Sequence, residues 1–469
     1  MQTRKVDVAI IGSGSAGLYA LSKVRPSGKS WVLINGGHTG TTCARVGCMP
    51  SKVLIQIAED LQRQGIFGRY GFEAAGVDVD IAEALDHVRD LRDTFVERVR
   101  SNSTDNMDAE HFIPQYARFV GPNRLELEDG SQIEADSVII ATGSTPVIPA
   151  PWQAFGDRVL TTEELFEQEE LPASLAVIGL GAIGLEMGQA LSHLGVEVTG
   201  IDQLESIGGS RDPEVNRTAI EIIGKEFPLW LGQPAQVSQE ADGRLRVSAG
   251  EQTVVVDKIL ASLGRQPNLE RLNLQVLGLE RDERGIPRYN PQTMQVGDLP
   301  LFIAGDVNGV RNLLHEAGDE GRIAGLNASA ERISAFRRKT PLNITFCNPN
   351  ICQTGLSWDE LDQEQTVIGE VKFGPVGRAM IMGKNKGLLR VYADKHSGRL
   401  LGAEMVCVKG ENLAHLLAWC IQQGLGVGDL LRMPFYHPVI EEALQAALYD
   451  AYAKIESKNP GPITELVPL

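Results

Sequence analysis

Three apolar runs in this chain end abruptly in glycine-bearing turns: VDVAIIGSGSAG at 6–17, SLAVIGLGAIGLE at 174–186 and LPLFIAGDV at 299–307. In the first two, the run passes through the turn into a helical pattern. A second apolar run follows each, WVLI at 31–34 and VEVTGI at 196–201. Continuous rather than alternating apolar positions mark strands buried on both faces. The pattern therefore predicts two βαβ openings and two doubly wound parallel sheets in one chain.

Between them, apolar positions at Ala82, Leu85, Val88, Leu91, Phe95 and Val99 recur at helical spacing. RLELED and DSVIIATG read as strands joined by a turn at Asp129–Gly130, and a second hairpin turn is expected at 241–243. The strand in DKILASLGRQPN closes the second unit, and Pro146, Pro149 and Pro151 mark the crossing between units. Past Pro341 the texture changes. TVIGEVKF, RAMIM, LLRVYAD and LLGAEMVCV read as an antiparallel meander, followed by helices at 411–423 and 437–453 and a turn-rich tail. The expected division is α/β: a first Rossmann-like segment over 1–150, a second such unit over 151–275, a central return segment over 276–340, and a smaller α+β domain over 341–469.

Composition narrows the function classes. The 469 residues are 43% hydrophobic, enough for several cores. With 61 acidic against 44 basic residues the formal net charge is −17. Such a surface repels nucleic acid and anionic lipid, so neither is an expected partner. The basic run Arg337, Arg338, Lys339 is expected to solvate a helix end or linker. Glycines interrupt the N-terminal apolar run, and no stretch reaches the length of a membrane span, so a cytoplasmic, soluble protein is expected. Six cysteines are too few for a disulfide scaffold. Cys43 and Cys48 in TTCARVGCMPSK therefore read as a redox pair or as metal ligands.

A glycine turn between strand and helix lets backbone N–H groups approach a pyrophosphate at a helix N-terminus. Gly12, Gly14 and Gly17 have this spacing, as do Gly179, Gly181 and Gly184. Two dinucleotides are expected. Asp202, ending the second strand of the second unit, suits the hydroxyls of an adenosine ribose and repels a 2′-phosphate, which favours NAD over NADP. Asp202 also reads as an ordinary turn residue. Asn35 stands at the matching place in the first unit and carries no charge. One chain needs one hydride donor and one acceptor, so FAD is assigned to the first unit.

The segments GSGSAG, TTCARVGCMPSK, ATGSTP, GLGAIGLE, FIAGDV, LLHEAGDEG and HPVIEE, in this order, resemble the flavin-dependent disulfide reductases over nearly the whole chain. Within that family the resemblance is to the members that oxidise dihydrolipoyl groups. It implies an FAD domain built from two segments, an inserted NAD domain and a C-terminal dimerisation domain of a homodimer. It implies Asp306 near the flavin ribitol, Gly143 against the backbone of the flavin domain and His315 in a turn beside the cofactor. Asp306 by itself reads equally as a helix cap. The sequence departs from the family at Asn35, where an acidic residue is usual. It departs also at Ala44, Arg45 and Met49 around the cysteines, at Cys347 and Asn350, and at Val439.

Cys347 and Cys352 repeat the spacing of Cys43 and Cys48 and were the natural partners for a metal, but Pro349 intervenes and no metal site is expected. Cys407 and Cys420 read as buried small hydrophobes. The first pair sits at the start of one helix, ARVGCMPSKVLIQIAEDL, whose N-terminus stabilises a thiolate. The resemblance makes Cys48 the sulfur facing the flavin and Cys43 the interchange thiol. It brings Lys52 and Glu186 together beside the flavin, Lys52 to stabilise charge and Glu186 to orient it. His437 reads alone as a cap or packed imidazole, with Pro438 at a first helical position. Thiol–disulfide exchange also needs a base of suitable pKa, and Glu442 on the same helix can hold its tautomer. The resemblance puts this pair across the dimer, in the partner's active site. The expected reaction is oxidation of a protein-bound dihydrolipoyl group through the Cys43–Cys48 disulfide and FAD to NAD+. The carrier is a lipoylated protein of a 2-oxoacid dehydrogenase or glycine cleavage-type complex. The alternatives are an NADH-dependent reductase of another disulfide, or an FAD-containing structural subunit of a multienzyme complex.

Overall fold

The structure, a computed structural model, describes residues 3–72, 76, 79–457 and 465–466. The expected turn-rich tail lies mostly outside the described residues. β1 (Thr3–Ile11), α1 (Ser15–Val24) and β2 (Trp31–Ile34) form the first strand–turn–helix–strand opening. β2 is buried along its whole length, as its unbroken apolar run demands. The chain then makes α2 (Thr42–Val46), α3 (Cys48–Arg63) and α4 (Ile81–Ser101), the last capped by Asp80. β3 (Phe112–Ile113), β4 (Ala117–Gly121), β5 (Arg124–Leu127) and β6 (Gln132–Ile140) complete a sheet ordered β3-β2-β1-β6-β5-β4. β1 to β3 are parallel, and the β5–β6 hairpin turns at Asp129–Gly130, where Gly130 has φ +81°.

β7 (Ser144–Pro146) carries the chain out of this sheet. The second unit runs through β8 (Val159–Leu160), α5 (Thr162–Leu165), β9 (Ser174–Ile178), α6 (Ala182–His193), β10 (Glu197–Asp202), α7 (Pro213–Ile223) and β11 (Leu229–Leu231). A small antiparallel sheet follows, β12 (Gln236–Gln239), β13 (Leu245–Ala249) and β14 (Gln252–Val256); then come β15 (Lys258–Ala261) and β16 (Arg265–Pro267). The main sheet here is all parallel, ordered β11-β10-β9-β15-β8. β16 pairs antiparallel with β7, so the outgoing and returning crossings lie side by side.

The return adds β17 (Leu301–Ile303) parallel to the C-terminal half of β6, and α8 (Leu314–Ser329). α8 packs backbone to backbone on α1. A Cβ at Gly321 or Gly325 would lie 2.2 Å from the carbonyl oxygens of Ala16 and Ala20, respectively. The last unit is an antiparallel sheet of β18 (Leu342–Thr345), β19 (Asn350–Gly355), β20 (Thr366–Lys372), β21 (Gly387–Asp394) and β22 (Leu400–Cys407). α9 (Gly377–Ile381), α10 (Gly410–Gln422), α11 (Val427–Leu431) and α12 (Glu441–Lys454) accompany it. The core of this unit joins Val391, Ala403 and Met405 of the sheet to Leu413, Leu417 and Leu448 of the helices.

Three local expectations are corrected. RAMIM is the helix α9 rather than a strand: Ala379 is buried, Met380 and Ile381 face outward, and alanine and methionine favour helix. The cysteine helix is two helices, broken at Gly47. The last helix begins at Glu441, so His437 and Pro438 precede it, joined by a cis peptide bond.

Candidate active site

The two glycine turns have one geometry. Gly12 has φ +110°, and a Cβ there would lie 2.2 Å from the carbonyl oxygen of Ala141. Gly179 has φ +96°, with Ser262 oxygen at 2.3 Å from such a Cβ. A Cβ at Gly17 or Gly184 would fall 1.9 Å from the oxygen of Gly12 or Gly179. At Gly14 and Gly181 a Cβ would meet nothing within 4 Å. Protein packing thus demands the first and third glycines, while the middle one borders the open side of the cradle. A pyrophosphate fits there, against the N-termini of α1 and α6. Ser13 Oγ, buried in the first turn, has no hydrogen-bond partner among the described residues, as expected of a group placed to meet a cofactor.

The residue ending each second strand ties back to its own turn. Asp202 Oδ2 accepts the N–H of Leu180 at 2.6 Å, and Oδ1 that of Leu204 at 2.9 Å. Asn35 Oδ1 accepts the N–H of Ser13 at 3.1 Å, while its Nδ2 donates to the Gly37 carbonyl at 2.8 Å. An amide can do both, whereas a carboxylate cannot donate. Asn35 therefore closes the loop that leads toward the cysteines, which accounts for the absence of a carboxylate there.

Asp306 lies in the turn after β17. Ser144 donates to its Oδ2 at 3.0 Å, and Arg265 Nε donates to Ser144 Oγ at 2.8 Å. No hydrogen bond to Oδ1 is present among the described residues, which leaves an acceptor suited to a cofactor hydroxyl. Gly143, with φ +70°, turns the chain into β7, and its carbonyl accepts the Asn268 N–H at 3.0 Å. His315 is exposed at the second position of α8 rather than in a turn.

Cys43 lies in α2 and Cys48 is the first residue of α3. Gly47 makes the break: a Cβ there would press within 3.2 Å of the Thr42 carbonyl oxygen and 3.3 Å of Cys43 Cα. All six cysteines are free thiols. The Cys43 and Cys48 thiols share a hydrogen bond. That bond, with help from the Lys52 ammonium, brings Cys48 down to about 7. Cys43 is pushed far up by the same bond and by burial. The pair thus favours the thiolate on Cys48 and the proton on Cys43.

Lys52 and Glu186 meet across the packed faces of α3 and α6, with Nζ 2.7 Å from Oε2. Glu186 is fixed by a partner that the sequence did not reveal: its Oε1 accepts the N–H of Phe346 at 2.8 Å. The Lys52 ammonium also sits 4.6 Å from the centroid of the Phe346 ring. Gln189 bolts α6 to the same β18–β19 turn, accepting the Asn348 N–H at 2.7 Å and donating to its carbonyl at 2.9 Å. Backbone donors leave no side-chain signature, so only the long-range pairing exposes them.

His437 Nδ1 is 2.8 Å from Glu442 Oε1, and Glu442 Oε2 accepts the Val439 N–H at 3.0 Å. The hydrogen bond from His437 and that from Val439 hold the Glu442 carboxyl below its usual range. The carboxylate fixes the proton on Nδ1 and leaves Nε2 an acceptor. The imidazole is 82% exposed, and no hydrogen bond joins it to either cysteine within the chain. Cys347, Cys352 and Cys407 are buried in the last unit, where desolvation raises each thiol well above its usual pKa. Cys420 is half-buried. Among the described residues no cluster of three or more His, Cys, Asp or Glu could hold a metal. No described helix is long and apolar enough to cross a membrane.

Residues 6–321 match the family model of the pyridine nucleotide-disulphide oxidoreductases, and residues 342–448 match that family's dimerisation domain. A dihydrolipoyl dehydrogenase of Halobacterium salinarum is 30% identical, over 94% of this chain and 95% of its own. A mercuric reductase of Staphylococcus aureus is 27% identical, over 90% of this chain and 78% of its own. The solved HOCl-induced flavoprotein disulfide reductase RclA from Escherichia coli shares the fold, with a TM-score of 0.81 at 22% identity. It covers 96% of this chain and 100% of its own. Two glycine cradles, a paired-cysteine helix start and these matches lead to one conclusion: the chain belongs to the pyridine nucleotide-disulphide oxidoreductases, flavoenzymes that use FAD and NAD(H).

Proposed function

We propose that this oxidoreductase is a dihydrolipoyl dehydrogenase, oxidising the dithiol of a lipoylated carrier protein with NAD+ as acceptor. The observation that carries the reading is the placement of the cysteine pair: Cys48 opens α3 one turn before Lys52, whose ammonium is held by Glu186 and favours a thiolate there, and Cys43 lies in α2 just before it. The curated relatives named dihydrolipoyl dehydrogenase, which align over nearly their full lengths, support the choice of substrate. The lysine–glutamate pair and the His437–Glu442 pair support catalysis over a purely structural role, which needs neither. A cytoplasmic setting goes with this reading.

In the oxidised enzyme a substrate thiolate attacks Cys43 Sγ and expels Cys48 as thiolate. His437 Nε2 takes the proton of the second substrate thiol. That thiolate attacks the substrate sulfur held on Cys43, closes the substrate disulfide and releases Cys43. Two electrons now reside on the cysteine pair; FAD, which the Gly12–Gly17 turn and Asp306 would hold, would supply the chemistry that passes them to NAD+. Lys52, held by Glu186, stabilises negative charge at the meeting of α3 and α6. Asp202 reads the ribose of NAD+.

His437 acts in the partner subunit of a homodimer. Its exposure, its place inside the region matching the dimerisation domain, and the exposed Met380, Ile381, Trp419, Met433 and Tyr436 of the same unit support this. A mixed dimer with Cys43→Ser on one chain and His437→Gln on the other tests it. One intact and one doubly damaged site should give about half of wild-type activity with dihydrolipoamide; a rate at single-mutant background refutes the arrangement. A panel of dihydrolipoamide, lipoylated carriers, glutathione and coenzyme A disulfide tests the substrate. Faster turnover of another disulfide with NADH would replace the lipoyl reading.

A further inference from the structure

The basic run between α8 and β18 has no part in the chemistry above, yet it is not simply solvated. Arg337 is exposed, and Lys339 pairs with Asp319. Arg338 turns inward, with 24% of its side chain exposed. Its Nη2 donates to Glu316 Oε2 and, at 3.0 Å, to Glu320 Oε1. Glu320 is nearly closed off, 4% exposed. Its other oxygen accepts the Gly305 N–H at 2.8 Å and Asn308 Nδ2 at 2.7 Å. Glu320 thus fastens both ends of the turn Gly305–Asn308, and Asp306 lies inside that turn. The turn has little room to move elsewhere. Gly305, at φ +82°, rests against the first turn of α1, where a Cβ would come within 2.8 Å of Ala16 Cβ.

A carboxylate withdrawn from water needs a cation to stay ionised and to accept strongly on both oxygens. Burial drives the Glu320 carboxyl upward; the Gly305 N–H and Arg338 pull the other way. Arg338 is the one cation bonded to Glu320 among the described residues. The linker carrying it is tied at its far end to α10, where Thr340 N and Oγ1 donate to Gln422 Oε1 at 2.7 and 2.9 Å.

We infer that Arg338 is a positioning residue for the flavin seat: by pairing with Glu320 it fixes the Gly305–Asn308 turn, and with it the carboxylate of Asp306. The inference rests on the reading of Asp306 as a residue that meets FAD. It makes the linker into the C-terminal unit part of the support for the cofactor, although no residue of that linker enters the cradle.

Two readouts test it in the full-length protein. Amide exchange at Gly305 should accelerate in Arg338→Gln and remain at the wild-type rate in Arg337→Gln. The Kd of the apoprotein for FAD should rise about 10- to 100-fold in Arg338→Gln, the range that outer supports of a bound group carry. Arg338→Lys should fall between wild type and Arg338→Gln, and it serves in place of Arg338→Gln should that variant not fold. Asp306→Ala should weaken FAD as well, and the double variant should be no worse than Asp306→Ala alone, since both act through one carboxylate. Unchanged exchange at Gly305 in a folded Arg338 variant, or FAD losses that simply multiply, overturns the inference. Faster exchange combined with undiminished FAD affinity in Asp306→Ala overturns the flavin reading of Asp306, and the role of Arg338 with it, while leaving the link between Arg338 and the turn demonstrated.

Discussion

The two glycine turns are near copies in backbone but differ in charge, one ending its second strand in a neutral amide and the other in a carboxylate. In both, the first and third glycines are forced by carbonyl oxygens about 2 Å from any added Cβ, and the end of the second strand hydrogen-bonds back to the turn. The difference lies in what that strand end can still offer. Asp202 accepts one backbone N–H on each oxygen, yet each oxygen keeps a second acceptor position and a share of the negative charge. Asn35 spends its amide on Ser13 and Gly37 and shapes the loop toward Cys43. Backbone geometry gives both units the same cradle, while a single side chain decides whether a negative charge stands beside it. The pairing also implies that the turns serve separate halves of the reaction, so lesions in them should separate.

The largest effects come from breaking one turn at a time. Gly179→Ala should retain FAD and accept electrons from dihydrolipoamide normally, yet reoxidise with NAD+ at least about 10³-fold more slowly, because a strained turn no longer presents the cradle. Gly12→Ala should be isolated without FAD. Absorbance spectra and stopped-flow traces distinguish the two, and equal FAD loss in both variants would break the comparison. His437→Gln is the complementary lesion. It should slow reduction by dithiol roughly 10²–10⁴-fold, the usual value of a positioned acid–base group, and leave oxidation by NAD+ nearly intact.

Smaller effects sharpen the charge difference. Asp202→Asn should cut the preference for NAD+ over NADP+ by about tenfold or more, read as the ratio of kcat/KM values, because the repulsion of a 2′-phosphate disappears. The reciprocal change, Asn35→Asp, should not create such a preference. It places a carboxylate against the Gly37 carbonyl and removes a donor, costing about 1 kcal/mol in urea unfolding. The cysteine pair supplies a pH readout independent of either turn. With Cys48 brought down to about 7, the long-wavelength flavin–thiolate absorbance of two-electron-reduced enzyme should grow as pH rises through 7 and fade below it. In Cys48→Ser it should be absent at every pH, whereas in Cys43→Ala it should persist with an upward-shifted midpoint, since the hydrogen bond that favours the thiolate is gone.

Much of the architecture was legible because long apolar runs and obligatory glycines are local signals. Both βαβ openings, the helix over 81–101 and the hairpin at Asp129–Gly130 follow from spacing alone. RAMIM misled because five mixed residues carry too short a period to separate strand from helix. The break at Gly47 was hidden because a glycine beside helical segments on both sides does not by itself say that the helix stops, and only the approach of Gly47 to Thr42 and Cys43 required it. Arg338 read as a surface charge because nothing in a basic triplet says which member will turn inward.

The sequence by itself determined the two nucleotide cradles, the chemistry of the cysteine helix start and the sign of the charge at Asp202. Each depends on residues a few positions apart and on backbone rules that hold in any fold. Tertiary structure alone decided the rest. It set Glu186 beside Lys52 by offering the Phe346 N–H, and it gave Asn35 its two partners. It also pulled Arg338 onto Glu320 and left His437 exposed, with no hydrogen bond to its own cysteines. These are pairings between groups distant in sequence, several of them through backbone donors that every residue carries, so no spacing in the chain could encode them.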